Sequence, residues 1–373
     1  MAVSDRHDLI EQIHASGRRY VIALTGGGSR AISDLLSVSG ASATVLEAVV
    51  PYAETALARW LGGSIDHASS ERTARAMAMA AFERARTLSG ADPTTLCGIG
   101  ATASLATTRP KRGAHRVHVA WQSADATVSY SCELVKGRRT RVEEEAVAAA
   151  LVLHAVAEST GVVTTRPRDP SGDECVTRRE ERAPFEWTEL LLGRRQNVLH
   201  GAESPSRVVF PGAFNPLHAG HRRMAEIAAA RCGAPVTLEL SIANVDKPTL
   251  DFVEIADRVA GLSDYPVLLT RAATFAEKAA IVPGATFIVG VDTLARIADA
   301  AYYGGSAEQR DAAIATIAGR GCRILVFGRM IGDRFCTPTD LELPAALRAV
   351  CDAVPESEFR DDTSSTQLRI TPG

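Results

Sequence analysis

The apolar residues of this chain fall into two alternating rhythms. Residues 20–24 (Tyr-Val-Ile-Ala-Leu) are an uninterrupted apolar run of strand length, and the largely apolar 43–51 is a second strand candidate. Cys97-Gly-Ile-Gly-Ala-Thr-Ala103 reads as a glycine-marked strand end. Between and around these runs the apolar spacing is helical. It predicts helices over 6–17, over 54–61 with Gly62-Gly63 as a stop, over 70–88 closed by Ser89-Gly90, and over 141–158. Thr25-Gly-Gly-Gly-Ser29 opens a further helix reaching about residue 38. Residues 115–121 and 127–134 alternate apolar with polar, the period-two mark of a β-hairpin. Strands and helices in this order predict an α/β domain over residues 1–164.

The rhythm breaks between 164 and 183, where charged residues crowd together and Pro167, Pro170, Gly172 and Pro184 interrupt any period. Such sequence predicts a solvated linker. A connecting helix over 185–199 follows, with Trp187, Leu190, Leu191 and Leu192 on its apolar side, and 201–206 is a second loose joint. Residues 165–204 therefore read as the link, and 205–373 as a second domain. There, strands at 208–210, 235–242, 267–270, 285–290 and 322–327 alternate with helices at 222–232, 251–262, 274–281 and 293–302. Parallel strands joined by helices make right-handed units, and ligands in such sheets bind beyond the carboxyl ends of the strands.

Bulk properties narrow the function classes. A length of 373 residues suits two domains. The composition, 46% hydrophobic and 23% charged, is that of an ordinary globular chain. A formal charge of −3 supplies no field for a polynucleotide, and 5% aromatic residues leave few platforms for base stacking, so nucleic acid is not the expected partner. The polar start, residues 1–12, lacks a signal-peptide core, and no apolar run approaches the ~20 residues of a membrane span. Seven scattered cysteines without ligand spacing read as reduced thiols, and a metal site held by the protein is not expected. The expectation is a cytoplasmic protein acting on small molecules, without a membrane.

The chemistry concentrates in Phe210-Pro-Gly-Ala-Phe-Asn-Pro-Leu-His-Ala-Gly-His221, which joins a strand to a helix. A helix start offers free N–H groups and the positive end of the helix dipole, and so suits a phosphate. Gly212 and Gly220 permit close approach, and Pro211 and Pro216 stiffen the turn. Two histidines alone on such a turn read as caps or local packing; glycines, prolines and the strand–helix frame favour phosphate handling. Farther on, Gly290-Val-Asp292 ends a buried strand, where a carboxylate can accept from ribose hydroxyls or cap the next helix. Lys247, in a loop after a strand, is a candidate for substrate phosphate or carboxylate, its plainer reading a solvated lysine. Arg329 either guides a phosphate or is solvated. Near the C-terminus, Ser364, Ser365 and Thr366 with Arg369 offer donors and fixed charge to an anion.

The first stretch resembles the signature turn of the nucleotidylyltransferase superfamily at Gly212, Phe214, Asn215, Pro216, His218, Gly220 and His221. Ser364-Ser-Thr366 with Leu368-Arg369 resembles that superfamily's second signature, and Gly290 with Asp292 is similar to a segment of the nicotinamide and nicotinate mononucleotide adenylyltransferases. The likeness covers about 206–370. It implies a Rossmann-like parallel sheet in which His218 and His221 act on the α- and β-phosphates. Gly212, Phe214, Asn215, Gly290, Asp292, Ser364, Ser365, Thr366 and Arg369 would surround the nucleotide, and Mg²⁺ would accompany ATP. The acceptor it suggests is nicotinamide or nicotinate mononucleotide. Alternatives are a cytidylyltransferase, a pantetheine-phosphate adenylyltransferase, or a non-catalytic nucleotide-binding scaffold.

The order of elements over residues 6–160 resembles the C-terminal domain of CinA-type proteins, the nicotinamide mononucleotide amidohydrolases. Thr25-Gly26-Gly27 lies on that family's first motif, Tyr52 on its second and Cys97-Gly98-Ile99-Gly100 on its third. Ala23 stands where the resemblance expects the working serine, Leu57 where it expects a lysine, and Cys97 where it expects a threonine. Hydrolysis needs an activated nucleophile and a proton carrier, so the expectation is an altered or lost amidohydrolase site. The resemblance also implies self-association into a homo-oligomer.

Overall fold

The computed structural model describes residues 3–63, 67–108, 112–165, 173–243, 248–331 and 334–360. The chain divides into two compact units, Met1–Leu192 with Asp246–Glu254, and Gly193–Val245 with Ile255–Gly373. Among the described residues no helix is long and apolar enough to cross a membrane. The expected residues Lys247, Ser364, Ser365, Thr366 and Arg369 lie outside the described residues.

The first unit is a six-stranded mixed sheet flanked by helices. Its strands are β1 (Arg19–Thr25), β2 (Val45–Val49), β3 (Leu96–Ser104), β4 (His115–Gln122), β5 (Ala126–Leu134) and β6 (Val176–Arg182), in the order β2-β1-β3-β4-β5-β6. The β2-β1-β3 half is parallel and the β3-β4-β5-β6 half antiparallel. Its helices are α1 (Val3–Ala15), α2 (Arg30–Leu36), α3 (Ala41–Thr44), α4 (Glu54–Leu61), α5 (Glu71–Leu88), α6 (Arg141–Ser159) and α7 (Phe185–Leu191). On one sheet face, Ile10, Ile13, Leu35, Val152 and Val156 pack with Ile22, Val119 and Tyr130 into the main core. On the other face α5 runs directly over β3. That contact needs the two glycines of the strand: a Cβ at Gly98 would lie 2.1 Å from Ala78 O, and one at Gly100 2.3 Å from Ala74 O.

The spacing predicts a linker over 164–183 and a helix over 185–199; residues 166–172 lie outside the described residues, and among the others the structure departs from both. Residues 176–182 form β6, an edge strand on β5. Its sequence, Val-Thr-Arg-Arg-Glu-Glu-Arg, has no apolar alternation because only Val176 packs against the core and the other side chains are half-buried or exposed. The strand is held by the ladder and by ion pairs, Arg178 with Glu158 at 2.9 Å and with Glu180 at 2.7 Å. A charged edge also discourages further pairing. Helix α7 stops at Leu191, and Gly193 follows at φ 76°, a left-handed conformation that ends helices.

The second unit contains a seven-stranded sheet of β7 (Asn197–His200), β8 (Val208–Pro211), β9 (Val236–Ser241), β10 (Val267–Thr270), β11 (Thr286–Gly290), β12 (Arg323–Phe327) and β15 (Cys351–Val354). A separate hairpin pairs β13 (Arg329–Ile331) with β14 (Arg334–Cys336). The helices are α8 (Ala219–Cys232), α9 (Phe252–Ala260, whose residues from Ile255 on belong to this unit), α10 (Phe275–Ile281), α11 (Val291–Ala298), α12 (Ala307–Gly319) and α13 (Ala345–Ala349). The sheet order is β15-β12-β11-β8-β9-β10-β7, parallel throughout except for β7. From β8 the chain builds outward through β9 and β10 on one side, then returns to add β11, β12 and β15 on the other. The strand order therefore reverses between β8 and β11, and a crevice opens at such a reversal beyond the carboxyl ends of the strands.

Candidate active site

The histidine turn leaves the carboxyl end of β8 at that reversal. Helix α8 begins at Ala219, three residues earlier than the spacing predicts, so both histidines sit in its opening turn. His218 is the residue before the helix, with extended backbone (φ −124°, ψ 173°), and His221 is its third residue. The His218 N–H donates to His221 Nδ1 at 3.4 Å. In that contact Nδ1 of the His221 ring is the acceptor. The two rings lie over one another, tilted by 31°, with centroids 3.7 Å apart.

Packing fixes this pair from below. Phe214 is buried, its ring edge-on to Phe210 at 5.3 Å and to His221 at 5.3 Å, while Phe210 meets His221 at 5.8 Å. Phe214 reaches that position only with a positive φ of 43°, in the region that L side chains adopt at a cost. The ring then occupies the space over Gly212, where a Cβ would come within 2.6 Å of it. Gly212 N–H donates to Glu239 O of β9 at 3.0 Å, which ties the turn to the neighbouring strand. Gly212 and Phe214 thus belong to the local frame of the two histidines, and Asn215 follows Phe214 in the same turn.

Gly290 and Asp292 lie at the carboxyl end of β11, the strand next to β8 across the reversal, with Thr286 opposite Val208 and Phe287 opposite Val209. Asp292 does not cap its helix: α11 starts at Val291 with Gly290 as the preceding extended residue. Asp292 Oδ2 instead lies 3.4 Å from Arg329 Nη1, at the carboxyl end of β12. Arg329 is therefore paired and not simply solvated. Both side chains are well exposed, so the pair contributes little to stability.

In the first unit the positions of the expected hydrolytic residues do come together, but as apolar packing. Ala23 and Leu57 share one cluster with Leu61 and Met77, and both are fully buried. Cys97 is buried too; its thiol donates to Ser159 O at 3.3 Å, and burial pushes its pKa up, away from the reactive thiolate. Tyr52 is exposed. The glycine turn after β1 already holds an anion of the chain's own. Glu145 accepts from Gly28 N–H at 2.8 Å, from Arg30 N–H at 3.2 Å and from the Ser29 hydroxyl at 3.1 Å. Three consecutive glutamates at the start of α6 do different work: Glu143 closes a capping box with Thr140, buried Glu144 accepts from Ala106 N–H and meets His115, and Glu145 fills the turn. Composition marks all three only as acids at a helix start. Glu145→Ala is expected to cost about 1–2 kcal/mol in urea unfolding, because three donors lose a charged acceptor. An unchanged midpoint would mean that water replaces the carboxylate at no cost.

Residues 6–157 match the family model of the CinA C-terminal domain, and residues 209–370 match the cytidylyltransferase-like family. The chain joins a CinA domain to a nucleotidyltransferase domain. Similar solved structures include the competence/damage inducible protein CihA from Agrobacterium tumefaciens, 22% identical over 42% of this chain and 96% of that one, with a TM-score of 0.34. A CinA superfamily protein from Escherichia coli is 20% identical over 42% and 91%, with a TM-score of 0.31. Another from Klebsiella pneumoniae is 19% identical over 42% and 98%, with a TM-score of 0.33. No curated protein matches the chain. The histidine turn and Gly290-Val-Asp292 fall inside the cytidylyltransferase-like match, and Ala23, Leu57 and the turn filled by Glu145 fall inside the CinA match.

Proposed function

We propose that the nucleotidyltransferase domain transfers an adenylyl group from ATP to a mononucleotide acceptor, nicotinamide or nicotinate mononucleotide. The observation that carries the reading is the placement of His218 and His221 in the opening turn of α8, at the reversal between β8 and β11. An oxygen of the acceptor's phosphate attacks the α-phosphorus in line. The new O–P bond forms as the bond from that phosphorus to the bridging oxygen breaks, and pyrophosphate leaves with the electron pair. The nucleophile is already an anion, so positioning and charge stabilisation suffice without a general base. His221 and the N–H groups of α8 donate to the phosphates; Asp292 accepts from a ribose. Ser364, Ser365, Thr366 and Arg369 are assigned the outer phosphates on their sequence signature alone, and Lys247 remains a candidate for the acceptor. Mg²⁺ would arrive with the triphosphate, since it keeps water and phosphate oxygens as ligands. Among the described residues no group of three His, Cys, Asp or Glu is arranged to hold a metal by itself.

The acceptor rests on the Gly290-Val-Asp292 likeness and on the neighbouring CinA domain. The cytidylyltransferase-like match favours a second reading, transfer of cytidylyl from CTP. For the CinA domain we propose a loss of amide hydrolysis, supported by the apolar cluster around Ala23 and Leu57. One experiment tests all three: the full chain with ATP or CTP and a panel of phosphate acceptors, read for pyrophosphate and for ammonia. Pyrophosphate is expected with ATP and a pyridine mononucleotide, and no ammonia from nicotinamide mononucleotide. Turnover with CTP alone would replace the donor; vigorous ammonia release would overturn the reading of the CinA domain.

A further inference from the structure

We infer that Arg258, on α9, is a positioning residue for the histidine turn, an inference that rests on the nucleotidyl-transfer reading of that turn. Its guanidinium Nη1 donates to Ala213 O at 3.2 Å. That carbonyl belongs to the peptide joining Ala213 to Phe214, the residue with the positive φ. A trans peptide is planar, with its C=O and N–H pointing oppositely. Rotating this one plane changes ψ of Ala213 and φ of Phe214 together and would return Phe214 to the ordinary negative region. The strained backbone thus has a direct way to relax, and holding the Ala213 carbonyl opposes it. Such conformations persist only where the surroundings over-determine them.

The consequence reaches the chemistry through aromatic packing. Turning the plane alone leaves the Phe214 Cβ nearly in place, but with its φ released the Phe214 backbone can readjust, and the ring then loses its fixed seat against Phe210 and His221, each 5.3 Å away, and over Gly212. His221 then loses the wall that fixes its ring, and with it the direction of Nε2. Glu239 O holds the turn at Gly212 N–H, two peptides earlier, and leaves the 213–214 plane free to turn. Arg258 is half-buried and contacts the turn at its backbone, so its effect is on geometry and not on the reacting atoms.

The test uses the full chain carrying Arg258→Met, which keeps the aliphatic stem, and Arg258→Lys, which keeps a donor able to reach a carbonyl. In Arg258→Met, hydrogen exchange of peptides covering 210–222 is expected to quicken without nucleotide present. The kcat of pyrophosphate release is expected to fall about 10- to 100-fold, the scale of a misplaced catalytic group, with KM changed less than threefold. Arg258→Lys should recover most of the kcat. Wild-type exchange over 210–222 in Arg258→Met would overturn the inference whatever the activity. An equal loss in both variants together with a lowered Tm would overturn it in favour of a general structural role. If the unmodified protein releases no pyrophosphate with any donor and acceptor, the transfer reading fails, and the exchange measurement still decides what Arg258 does.

Discussion

His221→Ala is expected to lower kcat for pyrophosphate release by about 10²–10³-fold, the usual cost of removing one donor from a preorganised charge-stabilising site. His218→Ala should behave similarly. The reasoning is geometric. The rings lie 3.7 Å apart in the first turn of α8, and His221 is wedged against Phe210 and Phe214. The ring is therefore already oriented before substrate arrives and spends nothing on reorganisation in the transition state. Both histidines are half-buried at a surface turn, so the loss in stability should stay below about 2 kcal/mol. Thermal unfolding of each variant separates the two effects: turnover should collapse while Tm shifts by a few degrees. A variant that releases pyrophosphate at close to the normal rate would remove the histidine from the site. Asp292→Asn, at the far side of the crevice, should raise KM for the nucleotide more than it lowers kcat, because ribose binding is the same in ground and transition states.

How much of this was legible in the sequence depends on how local the chemistry is. The histidine turn is a contiguous run whose prolines, glycines and strand–helix frame all bear on one backbone conformation, so its role reads directly. The parallel sheet is legible because its strands are buried on both faces and show as near-continuous apolar runs, such as Ile324-Leu-Val-Phe327. Strand β6 is not legible, since an edge strand that sends only Val176 to the core has no apolar alternation to show. The start of α8 is misjudged by three residues because His218 and His221 are poor helix formers by propensity, yet the helix opening is where their contacts hold them. Arg258 and Glu145 are the instructive cases. Each is one charged residue on a helix rich in charge, and each acts on a turn far away in sequence, 45 positions for Arg258 and Ala213, and more than a hundred for Glu145 and Gly28. Nothing in local spacing singles them out. Ala23 and Leu57 show the converse: two apolar residues unremarkable in sequence become informative once they are found packed together where a hydrolase would need polar groups.

Lys278→Met is expected to be the most destabilising single change in the nucleotidyltransferase domain. Lys278 Nζ, on α10, lies 2.9 Å from each carboxylate oxygen of Glu239 on β9 and 2.7 Å from Ala272 O. The side chains are only 8% and 2% exposed, so neither charge has water to fall back on. Thr270, at the end of β10, gives its hydroxyl to the same carboxylate, and its own oxygen accepts from Ala272 N–H. The network therefore joins β9, β10 and α10, and its Glu239 also gives the backbone carbonyl that accepts from Gly212 N–H. Removing the ammonium leaves a buried carboxylate with one hydroxyl donor, and breaking such a pair from one side typically costs about 3–5 kcal/mol. Against a total stability of about 5–15 kcal/mol for a domain, that is enough to populate the unfolded form on modest warming. Removing both charges is a different matter, since an apolar pair of similar volume is often no worse than a buried ion pair. Glu239→Leu combined with Lys278→Met should therefore be more stable than Lys278→Met alone, by about 1–3 kcal/mol of coupling. Denaturant midpoints of the three variants measure this directly. If the double variant falls as far as the sum of the two single ones, the ion pair is not what the charges contribute, and the loss belongs to the hydrogen bonds to Ala272 and Thr270.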